Sequence, residues 1–374
     1  MELGLYTLSD LITDPKSGIR MNAHDRINET IQVATLADQV GLDVFGVGEH
    51  HRLDFAVSSP AIVLAAIAQA TKRIRLTSAV TVLSAADPVR VFQDFATVDL
   101  ISGGRAEIIA GRGVFTEPFP LFGADLGDYD QLFSEKLDLL RKLSRMERIT
   151  WRGNFRSPLH DAEISPRPIQ RELPIWVGVG GTRQSAVRAG NLGLPMALAV
   201  LGGPISAIQP IVDLYREAGE RARHSLSTLK VSINSHAYIG TDARQARELH
   251  RPFYQQYLSE ALPRGKRAVQ LSPADFQSMT GPGTALMVGS AQEMIDKIMQ
   301  EYELLRHDRF LAQIDVGRLP FREVAKAIER FGEKVAPVIR AETGNDTPKR
   351  TVETQPPNSS GESLEEDELD VTRA

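Results

Sequence analysis

The segment LDVFGVGEHH, residues 42–51, contains the transition that decides the fold. Its first part is apolar apart from Asp43, as in a parallel strand that is buried on both faces. One carboxylate and two imidazoles follow at once, as Glu49, His50 and His51. In α/β proteins the loops after such strands carry the chemistry. This transition therefore predicts a parallel sheet and one edge of an active site.

Seven more short apolar runs lie along the chain, and helical segments separate them. The eight runs begin at Leu3, Leu42, Ile74, Ala106, Pro174, Pro195, Leu229 and Phe310. Helix-start signatures, Ser-Pro before Ala61 and Asp87-Pro88, follow the second and third runs. Eight strands alternating with helices predict an α/β fold of the (β/α)8 TIM-barrel type. The alternative, a Rossmann fold, should show about six strands and a G-x-G-x-x-G loop after the first, which this sequence lacks.

Two long insertions interrupt the regular spacing, after strand 4 and after strand 7. In the first, only residues 129–146 have a helical pattern. The second runs from about Tyr254 to Leu286. Long loops at the carboxyl ends of barrel strands are typical lids and substrate walls. We therefore expect both insertions to border the active site.

The charge is concentrated at the carboxyl terminus. The net charge of the 374 residues is −5, yet residues 342–374 contain nine Asp/Glu against three Lys/Arg. This segment is poor in aliphatic residues, so we predict a disordered acidic tail over 341–374 and a barrel domain over 1–340. The nearly neutral body argues against nucleic-acid binding. The sequence has no cysteine, no signal-peptide pattern and no long apolar run, so we expect a cytoplasmic protein without a membrane segment.

The tripeptide Glu49-His50-His51 permits three interpretations: a metal site, a polar loop or an acid/base site. Adjacent side chains point in different directions, and no histidine lies at the ends of the first, fifth or sixth strands to complete a ligand set. We therefore expect no metal. The favoured hypothesis places one or both imidazoles in the pocket as acid/base or hydrogen-bonding groups.

A second motif has the design of a phosphate site. The strand that ends at Val179 runs directly into Gly180, Gly181 and Thr182, and a helix containing Ser185 begins there. Helix N-terminal amides and hydroxyls are suitable donors to an oxyanion. Arg112, at the end of the fourth strand, can pair with phosphate in a bidentate manner. An ordinary tight turn and a surface salt bridge are the alternatives.

Taken together, these motifs resemble the bacterial luciferase-like flavin monooxygenase family over about residues 1–340. Four segments carry the resemblance: GEHH, TSAVTVLSAADPVR, SGGRAEIIAGRGVFTEPFPLFG and PIWVGVGGTRQSAVRAGNLGLPMALA. The resemblance implies a TIM barrel that binds FMN or the deazaflavin F420 at its carboxyl-terminal mouth. By position it implies phosphate contacts from Arg112, Gly181, Thr182 and Ser185, a cis peptide at Ala79–Val80 against the flavin ring, and His50 near the reacting face. Where the luciferase has a reactive cysteine this chain has Gly111, and Gly181 replaces a carboxylate that is common in the family's phosphate loop.

The leading functional hypothesis is a two-component monooxygenase that acts on a small organic substrate. A separate flavin reductase would supply reduced FMN, and O2 would be the oxidant. The alternatives are an F420-dependent dehydrogenase or reductase and a non-catalytic flavin-binding protein. We also expect a homodimer, because the helix after strand 2 is apolar all round. The helix after strand 3 is expected to add apolar residues to the same surface: Val91, Phe92, Phe95 and Val98.

Overall fold

The computed structural model of the protein describes residues 1–261 and 269–344, and it shows a closed barrel of eight parallel strands. Its strands are β1 (Glu2–Thr7), β2 (Val44–Val47), β3 (Arg75–Ser78), β4 (Thr81–Val82), β5 (Ala106–Gly111), β6 (Arg148–Trp151), β7 (Leu159–Glu163), β8 (Ile175–Val179), β9 (Met196–Ala199), β10 (Val231–Ile239), β11 (Met287–Gly289) and β12 (Arg309–Gln313). The barrel order is β1-β2-β3-β5-β8-β9-β10-β12, and β12 returns to β1. Each of the eight predicted runs overlaps one barrel strand, which confirms the predicted fold class.

All barrel pairings are parallel, so the carboxyl ends of the eight strands lie at one rim. Leu5 on β1, for example, pairs with Phe45 on β2 and with Ala312 on β12. The short strands β4 and β11 extend the sheet by pairing with β5 and β10. Side chains from the loops that follow the strands are therefore brought to a common mouth.

Helices cover the outside of the barrel. They are α1 (Ala23–Gln39), α2 (Pro60–Ala70), α3 (Pro88–Ser102), α4 (Pro118–Leu121), α5 (Tyr129–Arg145), α6 (Arg183–Asn191), α7 (Gln209–Arg221), α8 (Ala243–Ala261), α9 (Pro273–Met279), α10 (Ala291–Leu305), α11 (Phe321–Arg330) and α12 (Ala336–Glu342). The predicted start of α3 at Asp87-Pro88 is confirmed. The Asp87 side chain accepts from the amides of Val89 and Arg90, and Gly103 ends the helix in the left-handed conformation. None of the helices among the described residues is long and apolar enough to cross a membrane.

The insertion after β5 contains more structure than its sequence indicates. Besides α4 and α5 it forms an antiparallel hairpin of β6 and β7. These strands are short, and β7 has no buried residue, so neither shows the apolar run by which the barrel strands can be recognised. The second predicted insertion contains the end of α8 and α9 and leads into β11, with residues 262–268 outside the described part.

A buried ion cluster fills the amino-terminal end of the barrel. The Arg309 guanidinium donates to the carboxylates of Glu107 and Glu2, and its Nη2 lies 2.6 Å from Glu2 Oε2. The guanidinium also lies 4.2 Å from the centre of the Trp176 ring. Arg309 and Glu107 are almost fully buried. Because this end is filled, the opposite rim holds the open space.

The surface of α2 and α3 agrees only in part with the predicted dimer interface. Val91, Phe92, Phe95 and Val98 were expected at an intersubunit surface, but they are 0–6% exposed and pack inside the subunit. The expectation for these four residues is wrong, because they form the stripe of α3 that faces the strands. On α2, Ile62 is 73% exposed, so no described segment of the chain covers it. The predicted acidic tail lies outside the described residues from residue 345 onward.

Candidate active site

A cavity of about 360 Å³ opens at the carboxyl ends of the barrel strands. The predicted site residues His50, Ala79, Val80, Arg112, Gly180 and Thr182 all line it. Ser185 lies behind this surface and is hydrogen-bonded to Arg112 and Thr182, and Gly181 joins Gly180 to Thr182. The structure therefore brings together residues that are separated by more than a hundred positions in the sequence.

Arg112 is the centre of a polar cluster at one end of the cavity. Its Nη2 lies 2.8 Å from Ser185 Oγ and 3.2 Å from Thr182 Oγ1. Its Nη1 donates to Asp130 Oδ1 at 2.6 Å, and Arg188 Nη2 donates to the same oxygen at 3.1 Å. A carboxylate oxygen is thus shared by two guanidinium groups beside two hydroxyls. This donor set fits an oxyanion.

The turn before α6 leaves its backbone open to the cavity. Gly181 has φ of +92°, which favours glycine, and a Cβ at Gly180 or Gly181 would meet nothing within 4 Å among the described residues. Thr182 occupies the N-cap position, yet its hydroxyl bonds to Ser185 and Arg112 rather than capping the helix. The first amides of α6 can therefore donate to an anionic ligand such as a phosphate.

One wall of the cavity is the Ala79–Val80 step, whose peptide bond is cis. Val80 fills the space beside two glycines on neighbouring strands. A Cβ added to Gly111 would lie 2.5 Å from Val80 Cγ2, and one added to Gly178 would lie 2.8 Å from Val80 Cγ1. A side chain at Gly111, which the resemblance matches to the luciferase cysteine, would therefore require Val80 to shift.

His50 forms part of an aromatic cluster at the mouth. Its ring stacks on Phe55 with centroids 4.0 Å apart and meets the edge of Phe115 at 5.4 Å. Burial lowers the pKa of His50 to about 4, so the imidazole is neutral at pH 7. Its Nδ1 has no hydrogen-bond partner in the described part of the chain. A neutral imidazole of this kind can accept or donate one hydrogen bond.

The two sequence neighbours of His50, Glu49 and His51, form hydrogen bonds within the protein. Glu49 accepts from His51 Nε2 at 2.9 Å and from the amide of Val82 at 3.0 Å. The carboxylate therefore ties the loop after β2 to the end of β4. Within residues 1–261 and 269–344, no group of three or more His, Asp or Glu is placed to hold a metal ion.

Sequence reasoning missed three polar residues on the far side of the cavity: Asn234 and His236 on β10, and Gln313 on β12. A signal was present, because Ser232, Asn234 and His236 occupy alternate positions in a strand whose other residues, apart from Ser235, are apolar or aromatic. Alternate residues of a strand share one face, so this pattern indicates polar groups inside the barrel.

Comparison with known proteins agrees with this geometry. A model of the luciferase-like monooxygenase family matches residues 1–308, and the chain therefore belongs to that family. It is 24% identical over 370 residues to the oxygenase component of the flavin-dependent trigonelline monooxygenase of Acinetobacter baylyi, covering 91% of this chain and 96% of that protein.

Two solved structures share the fold over nearly their whole length. One is the FMN complex of the oxygenating constituent of 3,6-diketocamphane monooxygenase from Pseudomonas putida, a type II Baeyer–Villiger monooxygenase. It superposes with a TM-score of 0.71 at 18% identity and covers 90% of this chain and 98% of that chain. The other is an F420-dependent secondary alcohol dehydrogenase with an F420–acetone adduct, with a TM-score of 0.68 at 20% identity and coverage of 91% and 99%.

Proposed function

We propose that this protein is the oxygenase component of a two-component, flavin-dependent monooxygenase that acts on a small organic substrate with reduced FMN and O2. One observation supports this most: an oxyanion site around Arg112 lies at one end of a cavity whose wall is the Ala79–Val80 step. This combination suits a ligand with a flat ring and a phosphate. The family membership and the flavin-dependent relatives support the same conclusion.

The residues present fit such a ligand. Arg112, Thr182, Ser185 and the amides after Gly180 and Gly181 would hold the phosphate, and the Ala79–Val80 wall would orient the ring. When bound, reduced flavin supplies the electrons that activate O2. His50, neutral and partly buried beside Phe55, would hold or accept a proton at the mouth of the cavity. The rings of Phe55 and Phe115 would shield this position in part from water.

Two further proteins are proposed as partners. A separate flavin reductase would supply reduced FMN, as the naming of the trigonelline relative as an oxygenase component suggests for that protein. A second copy of this chain would cover α2, where Ile62 is 73% exposed. A cytoplasmic location remains our proposal on the basis of composition.

The alternative cofactor is F420, and the observation that favours it is the fold shared with an F420-dependent dehydrogenase. Both cofactors combine a phosphate with a flat ring, so the oxyanion site alone does not separate them. The mass and absorption spectrum of a co-purified cofactor distinguish the two, and FMN is expected.

The decisive test is a coupled assay. Purified protein, a flavin reductase, NADH and FMN are combined with a panel of small organic compounds. The proposal expects consumption of O2 and one oxygenated product for at least one compound. Binding of FMN without any substrate-dependent consumption of NADH and O2 would favour a non-catalytic flavin-binding protein. Hydride transfer to or from F420 without O2 would favour the dehydrogenase alternative.

A further inference from the structure

His236 and Gln313 form a side-by-side pair on the wall of the cavity. They are direct register partners on the parallel strands β10 and β12, so their side chains point to the same face. Both line the cavity, and they are 2% and 0% exposed.

Three polar side-chain atoms of this pair have no hydrogen-bond partner among the described residues. Both the Nε2 and the Oε1 of Gln313 lack a hydrogen-bond partner, and so does His236 Nε2. Buried polar groups in folded proteins are nearly always hydrogen-bonded, and leaving them unpaired reduces stability. Three such atoms beside one cavity therefore indicate a ligand that supplies the missing partners.

The neighbours of His236 define its hydrogen-bonding role. Tyr254 Oη lies 3.4 Å from the backbone oxygen of Leu201 and 3.4 Å from His236 Nδ1. The Leu201 oxygen can only accept, so the tyrosine donates to it and accepts from a protonated His236 Nδ1. This tautomer leaves His236 Nε2 as an acceptor. Burial lowers the pKa of His236 to about 4, which keeps the ring uncharged at pH 7.

The described residues that line the cavity beside the pair carry no charge, although the buried carboxylate of Asp315 is close enough to Tyr6 to add to the effect of burial in raising its pKa. The cavity-lining residues next to it are Tyr6, Ala199, Leu201 and Asn234. Buried Tyr6 is neutral, because burial raises its pKa well above the usual value. A carboxylate placed here would lose its hydration without gaining a cation. The subsite therefore selects an uncharged group.

The position of the pair in the barrel points to substrate rather than cofactor. In the closed order of eight strands, β10 lies across the barrel from β3, which leads to the Ala79–Val80 step, and β12 lies across from β5, which leads to Arg112. A flat ring held against Ala79–Val80 with its phosphate at Arg112 would lie across the barrel from His236 and Gln313, so these two side chains would face a second molecule.

We propose that Gln313 and His236 form the substrate-recognition subsite, and that it binds a neutral group with a hydrogen-bond donor beside an acceptor, such as a lactam or a hydroxyl next to a keto group. The Gln313 amide makes two parallel hydrogen bonds to such an edge, and His236 Nε2 accepts from a neighbouring N–H or O–H. This inference rests on the proposed function, because it assigns the opposite wall to the flavin. The pyrimidine edge of a flavin has similar hydrogen-bonding chemistry, so the test must separate the two sources.

The test uses three probes of similar shape with the full-length protein, in the presence and absence of FMN. 2-Quinolone carries the lactam edge, quinoline lacks it, and 2-naphthoate is an anion. We expect the native protein to bind 2-quinolone at least tenfold more tightly than either of the other two. Gln313→Leu should remove that preference and leave the quinoline and FMN affinities within about twofold.

Ser235→Ala is the matched control, since Ser235 is buried on the same strand, its Oγ has no hydrogen-bond partner among the described residues, and it does not line the cavity. It should change none of the affinities. Gln313→Met provides a second variant of similar length in case Gln313→Leu does not fold.

Three results would overturn the assignment. The first is that the native protein shows no preference for 2-quinolone. The second is that both Gln313 variants lose the same affinity for quinoline as for 2-quinolone. The third is a loss of affinity for FMN alone, which would assign the pair to the flavin. If the native protein binds neither FMN nor F420 but still prefers 2-quinolone, the proposed function fails and the subsite stands.

Discussion

Asp130 Oδ1 lies 2.6 Å from Arg112 Nη1, so a carboxylate of the chain itself occupies the place where an anionic ligand would meet this guanidinium. Arg188 contacts the same oxygen at 3.1 Å. The Asp130 side chain is 54% exposed, and the two arginines hold its pKa below the usual value through hydrogen bonds and charge, so it is ionised at neutral pH. A bound phosphate must therefore displace this carboxylate or remain next to it.

Removing the charge of Asp130 should strengthen phosphate binding. We expect Asp130→Asn to bind FMN a few-fold more tightly, because an exposed charge pair of this kind is worth up to about 1 kcal/mol. Riboflavin affinity should stay constant, because riboflavin has no phosphate. Asp138→Asn is the matched control, since Asp138 is also exposed on α5 but pairs with Lys142. Fluorescence titration measures all the affinities, and weaker FMN binding to Asp130→Asn would show that Asp130 instead positions the arginine for the ligand.

Removing Arg112 should have the opposite effect. Arg112→Ala loses a charge-assisted contact worth about 1.5–3 kcal/mol, so FMN affinity should fall roughly ten- to a hundredfold. Riboflavin affinity should change little. The same titration checks this prediction, and an equal loss for the two flavins would place the phosphate elsewhere.

The contact between Gly111 and Val80 predicts that substitutions at these two positions have non-additive effects on the free energy of unfolding. Gly111→Ala would bring a Cβ within 2.5 Å of Val80 Cγ2, and overpacking of this kind typically costs about 1–3 kcal/mol of the free energy of unfolding. Val80→Ala should recover part of this loss, which a double-mutant cycle by urea unfolding measures. Gly180→Ala is the matched control, because its Cβ meets nothing within 4 Å in the described residues. Simple additivity of the two changes would show that the cost of Gly111→Ala does not arise from contact with Val80.

The buried His250 should make the protein sensitive to acid. Its ring packs between Tyr238 and Phe276, and burial lowers the pKa of His250 to about 3. Between pH 3 and about pH 6.5 the unfolded state binds more protons at this residue, so the free energy of unfolding decreases as pH falls through that range. We compare the free energy of unfolding of His250→Phe with that of the native protein at each pH. The difference should be about 2 kcal/mol more favourable to the variant at pH 5 than at pH 8. Denaturant unfolding at both pH values measures this, and an equal change at both would mean that the ring acts through packing alone.

The exposed face of α2 predicts the dimer interface. Ile62 is 73% exposed in the single chain, and a charge there would have to be buried by a second copy. The native protein should be a dimer by light scattering at micromolar concentration, and Ile62→Arg should be a monomer. Leu226→Arg, at an exposed leucine between α7 and β10, is the control and should remain dimeric. A native monomer contradicts the proposed assembly, and a dimeric Ile62→Arg protein moves the interface elsewhere.

Several features of this protein follow from the sequence by itself. The eight apolar runs predict the barrel, because a strand buried on both faces needs apolar residues at nearly every position. The glycines before α6 and the arginine after β5 predict the oxyanion site, because turn chemistry and helix starts are encoded by neighbouring residues. The position of GEHH after β2 places His50 at the mouth for the same reason.

Only the tertiary structure shows the pairs that lie far apart in the chain. The His236–Gln313 pair depends on the register of β10 against β12, and the Asp130–Arg112 contact depends on how α5 packs over the mouth. The position of Val80 over Gly111 and the burial of the apolar face of α3 depend on which elements are neighbours. A local pattern indicates which face of a strand or helix is apolar, but the partner of a side chain is set by strand register and helix packing across the whole barrel.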